Sequence, residues 1–336
     1  MKKVFTTVLA GAFTAVASFA LAESHSNFKP AVIYDMGGKF DKSFNEGVYA
    51  GIKKFQDETG VEVMEFEVTN EAQRQQAMEK MVQRGATVVL GVGFAQADAI
   101  SAVAAANPDV EFSIIDVSWL DHPNLRQYAF KEQEGSYLVG VAAAMASKTG
   151  TVGFVGGMDI PLIRAFACGF EQGVHATNAD AKVLQNMTGT TPAAWNDPTK
   201  GSELTQAQMD RGADVIFQAA GGTGVGVIQA AADAGKLAIG VDSNQNYMAP
   251  GNVLTSMLKR VDVAAYETMK DAMAGDFEAG VRVLGVADGG VGWALDEYNA
   301  DLITPEMKAA LDAASAKISS GEIVVHDYRA DNTCAM

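Results

Sequence analysis

Asp35-Met36-Gly37-Gly38-Lys39-Phe40-Asp41-Lys42-Ser43-Phe44-Asn45-Glu46 is the stretch whose reading decides the fold. The apolar run Ala31-Val32-Ile33-Tyr34 precedes it. A helix from Ser43 to about Thr59 follows, with Val48, Ile52 and Phe55 at helical spacing. Strand, glycine-bearing loop and helix start make the basic unit of an α/β sheet, and such sheets bind ligands beyond the carboxyl ends of their strands. Asp41 is placed to cap the first turn of the helix. Phe44 stands at the mouth of the loop, either as core or as a flat face for a ligand.

Outward from that unit the alternation continues. Strands are expected at 61–68, 87–93, 111–116 and 126–130, and helices at 70–84 and 95–106. This order implies a parallel sheet covered by helices on both faces. The pattern then restarts: strands at 151–155, 181–187, 214–220 and 237–241 alternate with helices at 134–147, 166–177, 200–211 and 225–234. A crossing strand at 253–257, a helix at 261–274, a strand at 281–286 and a helix from Pro305 to Ser319 complete the chain. Two α/β lobes side by side, with crossovers near residues 130, 257 and 280, create a cleft lined by strand ends. Clefts between domains are the usual place for a small ligand. The first lobe is expected to comprise residues 27–130 with 258–280, and the second 131–257 with 281–336.

The chain opens with Met1-Lys2-Lys3, an apolar run from Val4 to Ala20, and Ala20-Leu21-Ala22. That is the pattern of a cleavable signal peptide, residues 1–22. No cysteine lies near the site, so the product is expected free in the periplasm rather than lipid-anchored. The formal net charge of −16, two more negative without Lys2 and Lys3, argues against nucleic acid as a partner. Cys168 and Cys334 are the two cysteines, and export makes a bridge between them chemically possible. The four histidines show no metal-ligand spacing. No metal, cofactor or catalytic set is expected, and no Gly-x-Ser-x-Gly elbow is present.

Candidate ligand residues sit at strand ends. Asp116 follows Phe112-Ser113-Ile114-Ile115, and Asp242 follows Ile239-Gly240-Val241; each is a cap or an acceptor for hydroxyls or a ring N–H. Gly221-Gly222-Thr223-Gly224-Val225-Gly226 fails as a dinucleotide fingerprint because Val227 stands where the third glycine belongs, and it lacks the lysine of a P-loop. It reads as a tight turn, with Gly221 able to offer backbone to a neutral ligand. Trp195 lies in a loop of small and polar residues, either packed beneath it or presenting a stacking face. Lys259 draws notice only through its place beside a crossover.

Asp41-Lys42-Ser43-Phe44-Asn45-Glu46-Gly47, Phe112–Asp116, Phe130-Lys131-Glu132-Gln133-Glu134-Gly135, Gly153-Phe154-Val155-Gly156-Gly157, Ala219–Gly224, Gly240-Val241-Asp242 and Leu254–Lys259 together resemble the basic membrane protein (BMP) family. The resemblance runs in order through nearly all of residues 29–300. It implies the type I periplasmic-binding-protein fold: two doubly wound parallel-sheet lobes joined by a multi-strand hinge. It also implies an ABC-importer receptor that takes a purine nucleoside to an inner-membrane permease, as a monomer. Carried over by motif, Phe44 is one stacking ring and Trp195 the other, with Phe166 and Phe217 as substitutes. Asp116 takes the base edge, Asp242 and Lys259 hold the ribose, and Asp41 and Asn45 border the base. A free sugar or another heterocycle is the alternative solute. A sensory ligand domain and a nucleoside-processing enzyme are the alternative roles.

Overall fold

The computed structural model describes residues 27–334; the expected signal peptide lies outside them. Twelve strands alternate with nine α-helices in the described residues. In chain order they are β1 (Pro30–Tyr34), α1 (Phe44–Thr59), β2 (Met64–Glu67), α2 (Gln73–Gln83), β3 (Val88–Gly91), α3 (Ala97–Ala106), β4 (Glu111–Ile115) and β5 (Leu125–Phe130). Then follow α4 (Glu132–Ala146), β6 (Thr151–Met158), α5 (Pro161–Thr177), β7 (Lys182–Gly189), α6 (Pro198–Met209), β8 (Val215–Ala219), α7 (Gly224–Asp233), β9 (Leu237–Asp242) and β10 (Val253–Lys259). The chain ends with α8 (Val261–Ala274), β11 (Gly280–Leu284), β12 (Val291–Trp293) and α9 (Pro305–Ser320).

The strands form two six-stranded sheets, ordered β11-β5-β4-β3-β1-β2 and β12-β10-β9-β8-β6-β7. All pairings are parallel except the antiparallel β10–β12 edge. Within each lobe the order 2-1-3-4-5 is that of a doubly wound sheet, whose crevice opens where the order reverses. β1, β3 and β8 are buried along their whole length, as parallel strands covered on both faces must be.

Three segments connect the lobes: 130–132 between β5 and α4, 259–261 between β10 and α8, and 284–291 between β11 and β12. The last differs from the expected boundary at 280. β5 leaves an open edge on the first sheet, and the chain returning from α8 covers it as β11, in register from Gly280 opposite Arg126 to Leu284 opposite Phe130. Half-exposed Val281 and Val283 mark it as an edge strand.

Behind the hinge, α4 and α5 touch backbone to backbone. A Cβ at Gly169 would meet the Gln133 carbonyl at 2.3 Å, and one at Gly173 the Tyr137 carbonyl at 2.1 Å. Past α9, the tail crosses back over α5 and is fastened by a Cys168–Cys334 disulfide. No described helix is long and apolar enough to cross a membrane.

Candidate functional site

The carboxyl ends of both sheets face each other across a cavity. All eight residues singled out from the sequence line it: Asp41, Phe44, Asn45, Asp116, Trp195, Gly221, Asp242 and Lys259. Phe166 lines it as well. Phe217 does not: it is fully buried on β8, 5.5 Å from Phe154 and 5.3 Å from Phe170 between ring centroids. It is core because β8 is covered on both faces, and it drops out as a stacking ring.

Asp41 acts first as a cap. Its carboxylate accepts from the backbone N–H groups of Ser43, Asn45 and Glu46 at 2.8, 3.0 and 3.1 Å, and from Asn45 Nδ2 at 3.1 Å. Asn45 Oδ1 in turn accepts from the Asp35 backbone N–H. These bonds fix the loop that presents Phe44. Burial holds the Asp41 carboxyl above the usual range despite the three backbone N–H donors.

Asp116 and Asp242 occupy equivalent positions, each just where a strand gives out. Both have left-handed backbones, φ 67° and 62°. Non-glycine residues seldom hold that conformation, and it gathers at functional sites. Burial pushes the pKa of each up to about 6, against the pull of the Lys259 ammonium.

Lys259, only 3% exposed, stands at the end of β10 beside the second crossover. Its Nζ lies 2.7 Å from Asp116 Oδ1 and 3.0 Å from Glu132 Oε1. Its ring neighbours are Phe44 and Phe130, each with a centroid at 5.2 Å, and Phe166 at 5.7 Å. Burial lowers the lysine pKa, but the carboxylates of Asp116, Glu132 and Asp242 outweigh it and the net shift is upward. Lys259 and Asp242, both expected as ribose ligands, have different partners here. Direct contact goes to Asp116 and Glu132, while Asp242 Oδ2 accepts from Ser43 Oγ at 2.6 Å.

Glu132, Ser43 and Arg329 are the partners that sequence reading missed. Glu132 lies ahead of the helix expected at 134–147, where an acidic residue ordinarily meets water; in the structure it opens α4 and is fully buried. Trp195, half-buried, closes a short 3₁₀ turn, Pro192–Trp195, and its ring rests on Gly157. A Cβ at Gly157 would sit 2.1 Å from the indole, so only glycine fits beneath it. Gly221, at φ 56°, begins the turn leading into α7.

Chemically, the cavity has aromatic walls and carboxylates that outnumber the ammonium. That set accepts hydrogen bonds from hydroxyls and ring N–H groups. Among the described residues no group of three or more His, Cys, Asp and Glu side chains is arranged to hold a metal.

The family described as PnrA-like ABC transporter substrate-binding proteins matches residues 28–328. Basic membrane protein A2 of Borrelia garinii subsp. bavariensis is 33% identical over 304 residues, covering 88% of each chain. The ABC transporter nucleoside-binding protein BmpA of Lactococcus lactis subsp. cremoris is 32% identical over 357 residues, covering 97% of this chain and 99% of its own. An ABC transporter solute-binding protein of Aeropyrum pernix K1 superposes with a TM-score of 0.82 at 27% identity, over 89% of this chain and 94% of that one. The chain belongs to the Bmp family of ABC transporter substrate-binding proteins, which bind solutes and do not transform them.

Proposed function

We propose that this family member captures a purine nucleoside between its lobes and delivers it to a membrane permease. The observation that carries the reading is the site around Lys259: one buried ammonium lining an aromatic-walled cavity together with Asp116 and Asp242, with the buried Glu132 carboxylate 3.0 Å from it. Phe44 from the first lobe and Trp195 from the second cover the faces of the base. Asp116 accepts from the base edge. Asp242 and Lys259 take the ribose hydroxyls, Gly221 lends backbone, and Asp41 and Asn45 hold the rim. The Lactococcus relative, described as nucleoside-binding, supports this choice of solute. A nucleotide fits poorly, since carboxylates at short range repel phosphate.

The protein works as a monomer on the outer side of the inner membrane, exported by its signal peptide. Hinge closure around a ligand belongs to the repertoire of two-lobed proteins. Thermal shift with inosine, guanosine and adenosine beside their monophosphates tests the reading, together with mass spectrometry of whatever co-purifies. Stabilisation by at least one nucleoside and none by the monophosphates is the expected result. Tighter binding of the monophosphates would overturn it.

A further inference from the structure

Glu132 touches two cations. Lys259 Nζ lies 3.0 Å from one carboxylate oxygen, and Arg329 Nη1 lies 2.8 Å from the other. Arg329 comes from the tail beyond α9, where no periodic signal marks a function. Its Nη2 also donates to the Phe130 carbonyl at 3.0 Å and to Gln133 Oε1 at 3.3 Å, so it grips the first crossover itself. Asp327 holds the guanidinium from the other side through Nε and Nη2, each at 2.9 Å.

The tail is fastened on both sides of Arg329. Before it, Gln172 of α5 exchanges two hydrogen bonds with the backbone of His326, at 3.0 and 2.9 Å. After it, Cys334 is bridged to Cys168 of the same helix. A surface tail has no need of so many ties. A tail that must keep one guanidinium in place does.

Charge makes the need plain. Asp116, Glu132 and Asp242 all bear on Lys259, and one ammonium cannot balance three buried carboxylates. Without Arg329, Glu132 would compete with Asp116 for Lys259 and pull it away from the cavity.

We propose that Arg329 is a positioning residue of the ligand site: by neutralising Glu132 it leaves Lys259 to the aspartates and the solute, and the Cys168–Cys334 disulfide keeps it there. This deepens the reading above and rests on it where ligand contact is concerned.

Arg329→Gln, Arg329→Lys and Cys168→Ser/Cys334→Ser test it, in protein exported with the disulfide formed. The first readout needs no ligand: melting temperature at pH 5 and pH 8. The groups facing Glu132 and Lys259 are Asp116, Asp242, Arg329 and Asp327, with Asp41 behind Asp242. Loss of a cation leaves the ionised buried carboxylates less well compensated, so the fold loses more stability as pH climbs. Arg329→Gln should therefore cost about 3 °C more at pH 8 than at pH 5, and Arg329→Lys should recover most of that difference. The double serine variant should move the same way by a smaller amount.

The second readout is titration with inosine, guanosine and adenosine. The nucleoside that binds the wild type should bind Arg329→Gln about tenfold more weakly. Equal losses of melting temperature at both pH values would overturn the proposal and reduce Arg329 to an anchor of the tail. A double serine variant with the wild-type pH profile would remove the disulfide from it. If no nucleoside binds the wild type, the ligand assignment fails, and the two-pH melting comparison still decides the role of Arg329.

Discussion

Ser43 of the first lobe donates a 2.6 Å hydrogen bond to Asp242 of the second. The same residue accepts from Ser243 Oγ through its backbone carbonyl at 2.8 Å. The helix start that presents Phe44 is thereby tied to the strand end that presents Asp242. Ser43→Ala removes a hydroxyl donor to a buried carboxylate across the cleft. A hydrogen bond to a charged group contributes ~1.5–3 kcal/mol, so nucleoside affinity should fall by roughly tenfold or more by calorimetry. Unchanged affinity would mean that this bond does not help hold the closed form.

Asp242→Asn should separate binding from stability. Asparagine tolerates the left-handed backbone at this position and still accepts from Ser43. Losing the charge should weaken a nucleoside by roughly 10- to 150-fold. The free protein should respond in the opposite sense. Burial raises the folded pKa of Asp242 to about 6, so the stability this carboxyl contributes is present below its unfolded pKa and lost as pH rises to about 6. At pH 8 the asparagine variant should melt higher than the wild type, and at pH 5 the gap should shrink.

Nucleoside binding should have an acid limb near pH 6. In the proposed roles Asp116 and Asp242 accept from the solute as carboxylates, and both are pushed up to about 6 in the free protein. Dissociation constants measured from pH 8 down to pH 5 should stay level and then rise about tenfold per pH unit for each aspartate protonated. A flat profile would show that neither carboxylate is an acceptor for the solute.

Phe44→Ala and Trp195→Ala should each weaken a nucleoside by roughly one to two orders of magnitude, since stacking on a base contributes ~1–3 kcal/mol. Free ribose should be affected much less. Closure should also change the Trp195 fluorescence. Trp119 and Trp293 emit too, so Trp195→Phe assigns the signal. If that variant keeps the whole ligand-induced change and Trp195→Ala binds normally, Phe166 is the ring to test next.

The architecture was legible because parallel strands buried on both faces read as short β-branched runs, and Gly-bearing loops fell between them and the helices. Asp116 and Asp242 were legible for the same reason: a carboxylate at the end of an apolar run is conspicuous. The chemistry around Lys259 was not. Glu132 opens a helix, where acidic side chains ordinarily complement the dipole in water, and nothing local marks it as buried. Arg329 lies in a stretch without periodicity, and its role depends on a crossover 199 residues away. The sheet membership of β11 was hidden too. An alternating strand shows which face is apolar but not which open edge it will cover.

The three connecting segments have a mechanical consequence. One tether would let the lobes swing and twist freely, and two would still permit rotation about the line joining them. Three tethers side by side, at 130–132, 259–261 and 284–291, suppress torsion and leave bending as the soft coordinate. The lobes then meet in one alignment at every closure, bringing Ser43 onto Asp242 and Asp116 onto Lys259. On the stacking roles proposed for Phe44 and Trp195, discrimination between solutes becomes a matter of thickness: a molecule too tall for the gap between the two rings cannot be accommodated by sliding or turning one lobe, and holds the whole jaw open.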